Sequence, residues 1–93
     1  MTTLFSFITL TEVEAFINFA KSSATKEHFE EMGIVEQTIY RVVGDNRVAI
    51  VNTYNTLEDA QRHKAILETP ELETLMKPFG VEFPMTLWTA EYA

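Results

Sequence analysis

The sequence predicts an α+β domain in the ferredoxin-like order β-α-β-β-α-β, one four-stranded antiparallel sheet with helices on one face. Three observations carry this. Four segments are rich in β-favouring residues. Two long stretches of helical periodicity separate the first strand from the second and the third from the fourth. The second and third strands are joined only by "GDN" at Gly44 to Asn46, residues that suit a hairpin turn. At 93 residues the chain has room for one domain, spanning 1–93.

The first strand is Leu4 to Leu10, with apolar residues in both registers. Thr11 and Glu14 have the spacing of a capping box, and Val13, Phe16, Ile17 and Ala20 follow at helical spacing. "KSSAT" has three hydroxyl residues that compete for backbone hydrogen bonds and can interrupt this helix. The pattern resumes through Phe29 and Met32 and stops at Gly33. Ile34 to Val43 and Arg47 to Tyr54 form the hairpin. Thr56 caps the next helix, with Ala60, Lys64 and Leu67 on one face. Thr69-Pro70-Glu71 restarts a helix that ends at Gly80, and Met85 to Tyr92 is the last strand.

Seven Lys and Arg stand against fourteen Asp and Glu, a net charge of −7. That balance argues against nucleic acid and anionic membrane surfaces, which select clustered cations, and it suits a soluble cytoplasmic protein. No apolar run approaches the ~18 residues of a membrane span, and "MTTLFSFITL" lacks the basic start of a signal peptide. The absence of cysteine removes disulfides, thiolate metal sites and Cys nucleophiles from consideration. Two histidines without a clear carboxylate partner give no metal site, and the three glycines form no phosphate loop. No cofactor is expected.

Apolar residues make up 46% of the chain. The third and last strands are apolar in both registers, so the sheet face away from the helices would expose a contiguous patch. A homodimer that packs sheet against sheet, or closes a joint barrel about a two-fold axis, would cover it.

The stretches "EEMGIVEQTIYRV", "GDNRVAIVNTYNTLEDAQRH" and "TPELETLMKPFGV" resemble the dimeric α/β-barrel superfamily, which includes small antibiotic-biosynthesis monooxygenases and a stress-responsive barrel group. The resemblance implies a ligand cleft between the helices and the concave sheet face. It also implies activities of monooxygenase, isomerase or cyclase type, alongside members that catalyse nothing.

His28 is the first candidate for chemistry. On one continuous helical wheel, at about 100° per residue, it falls inside the apolar arc of Val13, Ile17, Ala20 and Met32. There it is either a general base titrating near neutrality or a core-edge histidine satisfied by a partner. Tyr40 and Arg41 must lie on opposite sheet faces. Arg41 either clamps a ligand carboxylate or pairs with an acidic residue across the dimer interface. Trp88, with Phe5, Phe7 and Tyr92, floors an aromatic pocket or packs the core. Asn52 is a polar residue in an apolar strand, and the resemblance implies an Asn–Trp–aromatic set around a small aromatic ligand. Tyr40, Asn52, Tyr54 and Trp88 would shape that pocket. His63, beside Arg62 and Lys64, is expected to be solvated.

Overall fold

A computed structural model describes all 93 residues. The elements run β1 (Thr2–Thr9), α1 (Val13–Ser22), α2 (Lys26–Met32), β2 (Ile34–Arg41), β3 (Arg47–Tyr54), α3 (Leu57–Leu67), α4 (Pro70–Met76), a 3₁₀ turn (Lys77–Phe79) and β4 (Thr86–Glu91). The sheet order is β2-β3-β1-β4, with every neighbouring pair antiparallel. This is the ferredoxin-like fold that the element order predicts.

Period-two alternation sorts the sheet into two faces. Leu4, Ser6 and Ile8 of β1 point toward the helices, beside Val48, Ile50, Asn52 and Tyr54 of β3. One core cluster joins Ile8, Leu10, Val48, Phe16, Ile17 and Met76; a second joins Leu4, Ile34, Tyr54 and Ala60. Each fully buried Leu or Val in these clusters contributes about 2 kcal/mol. A bulge in β2 lets Ile34 face Tyr54 while Glu36 already faces Thr53, with Val35 as the extra residue. The bulge puts Ile34 in the core and still delivers Gln37 and Ile39 to the helix side.

The first helical stretch differs from a single helix. "KSSAT" breaks it: α1 ends at Ser22, whose hydroxyl bonds the Phe19 carbonyl, and Thr25 caps α2 by accepting the His28 backbone N–H at 3.1 Å. The Thr11–Glu14 capping box does not form either. Glu12 occupies the cap position without a side-chain bond. The Thr11 hydroxyl donates to the Phe79 carbonyl instead, and the Glu12 N–H donates to the same oxygen, because the chain entering α1 is tied to the 3₁₀ turn. The other two caps form as the sequence indicates: Thr56 accepts from Asp59 N–H and Thr69 from Leu72 N–H.

Gly33 ends α2 at φ 71°, and a Cβ there would collide with the Asp59 side chain at the start of α3. Gly33→Ala is expected to cost about 1–2 kcal/mol, from the left-handed backbone and the displaced carboxylate together. Chemical denaturation measures it, and a neutral result would show that the α2–β2 corner relaxes freely.

Candidate functional site

A cavity of about 330 Å³ lies between the sheet and the helices. Its walls are mostly apolar. Phe16, Phe19 and Ala20 come from α1, Phe29 and Met32 from α2, Ile66 and Leu67 from α3, and Leu72, Leu75 and Met76 from α4. Ser6, Gln37, Ile50 and Asn52 form the sheet floor. No Lys, Arg, Asp or Glu lines it. Its polar lining residues are Ser6, Ser23, Gln37, Asn52, His28 and His63; Gln37 lies opposite Asn52 and His28 beside His63, a small set of the kind that orients a ligand in an apolar pocket.

His28 lines the cavity half-buried, although the continuous helix that would have aimed it there does not exist. The Thr25 cap restarts the helix with a phase that turns His28 toward the cleft. Its ring centroid lies 6.4 Å from that of His63 and 6.4 Å from that of Phe29.

His63 departs from the solvated residue expected of it. It is 8% exposed, on the face of α3 that also buries Ala60, and its Nδ1 is hydrogen-bonded to the Tyr54 hydroxyl. Lys64, expected on that face, instead reaches Glu68 at 3.1 Å. The Ala60-His63-Leu67 spacing was the signal in the sequence, since residues three and four apart share a helix face. Burial lowers the His63 pKa to about 4, assisted by the nearby His28 and Arg62. Burial pushes the Tyr54 phenol up to about 12, with the Asn52 amide pulling the other way. At neutral pH both groups are uncharged. Asn52 is itself buried, and its Oδ1 has no hydrogen-bond partner.

The remaining candidates are placed elsewhere. Tyr54 stands behind His63, fully buried and outside the cavity lining. Tyr40 and Arg41 do lie on opposite faces. Arg41 pairs with Val48 on the helix side, where its guanidinium meets the Glu14 carboxylate at the strand end, clear of the cavity. It therefore clamps no ligand in the cleft. Tyr40 and Trp88 are on the far face, opposite Ala49 and Phe5. They do not shape the same pocket as Asn52, because the sheet separates them. Trp88 is 60% exposed and Tyr40 56% exposed. Phe5 stacks on Phe7, and Phe7 meets Trp88 edge-to-face at 4.9 Å, so this outer face carries an aromatic surface and not a closed core.

Fold and cavity together define a cleft-bearing ferredoxin-like domain. Solved structures of this kind match the chain along its full length. One is a candidate antibiotic biosynthesis monooxygenase from Deinococcus radiodurans, 13% identical with a TM-score of 0.69, the match covering 100% of this chain and 93% of that one. Another, a candidate enzyme of the same description from Nitrosomonas europaea, is 21% identical with a TM-score of 0.67, covering 99% and 98%. A third is a dimeric ferredoxin-like protein from an uncultured marine organism, 17% identical with a TM-score of 0.70, covering 100% and 99%. At such identities the likeness is one of fold. No protein-family model matches the sequence, and no curated protein matches it.

Proposed function

We propose that this chain is a homodimeric α/β-barrel protein that binds a small aromatic compound in the helix–sheet cleft and acts on it without a cofactor. The reaction would be of monooxygenase, isomerase or cyclase type. The observation that carries the reading is the 330 Å³ apolar cavity with His28, Asn52, Gln37 and His63 in its wall. His28 is the general base. It takes a proton from an acidic O–H or C–H of the bound compound, the step such reactions share. Asn52 and His63 hold the polar end of the ligand.

Two variants test this. Ala24→Trp, in the cavity wall, is expected to abolish binding of a naphthalene-type fluorescent probe while the fold is retained by circular dichroism. Unchanged affinity would sink the cleft reading. His28→Gln is expected to leave probe binding within about twofold and remove turnover, since a general base contributes 10²–10⁴-fold. If His28→Gln lowers the melting temperature and nothing else, His28 is structural and the protein holds its ligand without converting it.

The dimer is proposed through the outer face. Phe5, Phe7, Tyr40 and Trp88 form an aromatic surface there with Ala49 and Val51 between them, and the description of the marine structure as dimeric supports pairing through this fold. Equilibrium sedimentation near micromolar concentration is expected to give a dimer. Trp88→Glu, which removes an anchor and buries an unpaired charge, is expected to weaken it by about 3 kcal/mol, roughly a hundredfold. A monomeric parent chain would sink the proposal.

A further inference from the structure

We infer that Tyr54 and His63 act as a fixed donor pair, which makes the cleft selective for uncharged ligands that present a carbonyl oxygen to His63. This rests on the cleft being a ligand site. His63 would be the specificity-determining group and Tyr54 the positioning residue behind it.

The direction of the Tyr54–His63 bond follows from what each group can satisfy. The Tyr54 hydroxyl is fully buried, with the Asn52 side-chain amide donating toward it and His63 Nδ1 as its one acceptor. If Nδ1 carried the proton and donated, the phenolic proton would be left in the core with no acceptor, at a cost of about 1–3 kcal/mol. If the phenol donates, its proton and the Nδ1 lone pair are both satisfied. The imidazole proton then resides on Nε2. His63 is on the cavity wall and Nε2 has no protein partner, so an N–H donor is offered to whatever occupies the cleft. The low pKa of His63 and the high pKa of Tyr54 keep this arrangement uncharged at neutral pH.

Charge selection comes from the rest of the wall. No Lys or Arg lines the cavity, and Arg41, the cation at the end of β2, is engaged by Glu14 outside it. Asn52, whose Oδ1 is buried and unpartnered, belongs to the same wall. An anion would be desolvated there with no Lys or Arg to meet its charge. A ketone loses little on entry and accepts from Nε2–H.

Three probes of one shape test the pair: naphthalene, 1-acetonaphthone and 1-naphthoate, titrated against the full chain and followed by the methyl signals of Met32, Met76 and Met85, which line the cavity. The ketone is expected to bind about tenfold tighter than the hydrocarbon and about a hundredfold tighter than the carboxylate. The ¹H–¹⁵N imidazole spectrum of His28→Gln, which leaves His63 as the only histidine, is expected to show the Nε2-protonated tautomer, with its N–H signal moved by the ketone. Tyr54→Phe is expected to erase the tautomer preference and reduce the ketone's advantage to about twofold, leaving naphthalene binding unchanged. An Nδ1-protonated His63, a ketone no tighter than naphthalene, or naphthoate binding as well as the ketone would each overturn the inference while the cleft reading stands. If naphthalene itself does not move the methionine methyls, the cleft reading fails and this inference falls with it.

Discussion

Tyr54→Ala is expected to destabilise the domain by about 4 kcal/mol, the range for truncating a fully buried aromatic side chain. Tyr54 has no exposed surface and packs with Leu4, Ile34 and Ala60 beneath α3. Its removal leaves a void at the junction of β1, β2, β3 and α3 and takes the donor from His63 Nδ1. Against a total stability of about 5–15 kcal/mol, that loss brings the chain close to unfolding at growth temperature. The melting midpoint should fall by at least ~16 °C for a domain of this size. Tyr54→Phe separates the two contributions. It keeps the ring and deletes the hydroxyl, so it should cost only about 1–2 kcal/mol. Equal losses for the two variants would mean that the hydrogen bond, and not the packing, holds this corner. No loss for Tyr54→Phe would mean that the bond to His63 contributes nothing to stability.

The second large effect is on acid stability. His63 titrates near 4 in the folded chain and near 6.5 when unfolded. Above pH 6.5 it is neutral in both states and has no effect. Between pH 6.5 and 4 the unfolded chain binds a proton that the folded chain refuses, so stability falls as the pH drops. Below pH 4 the loss levels off. A separation of this size corresponds to about 3 kcal/mol. Denaturant melts at pH 7 and pH 4.5 should show most of it. His63→Gln removes the titration and is expected to flatten the profile in that window, while carboxylate titration remains in both proteins. An unchanged slope in His63→Gln would place the acid sensitivity elsewhere.

How much of this was legible beforehand depends on whether a residue's role was set locally. Thr56 and Thr69 cap their helices because the preference of a hydroxyl for an orphan N–H needs only three residues of context. Thr11 has the same local pattern but is claimed by the distant Phe79 carbonyl, a contact 68 positions away in the chain. "KSSAT" carried its own warning in three hydroxyl side chains, and it does break the helix. For Tyr40 and Arg41 the alternation guaranteed opposite faces, but which face each takes is set by pairing with β3. Trp88 illustrates the same limit: a strand apolar on both sides does not say which side the helices cover. His63 was obscured by its charged neighbours. Its burial is decided by the phase of α3 against the sheet, and only Ala60 and Leu67 hinted at that phase.

The extra residue at Val35 bears on how the chain tolerates change in length. Counting along β2, odd-numbered residues from Gln37 onward face the helices, yet even-numbered Ile34 does so too. The strand resets its count at the bulge. A deletion of Val35 would therefore restore plain alternation: Ile34 stays opposite Tyr54, Glu36 opposite Thr53 and Gln37 opposite Asn52, and only the extra residue is lost. Removing Thr38 instead would force a choice. Either Ile39 turns outward and Tyr40 inward, or Gln37 leaves the helix side and Glu36 takes its place. The corner at Val35 should thus absorb the loss of one residue that the strand beyond it cannot.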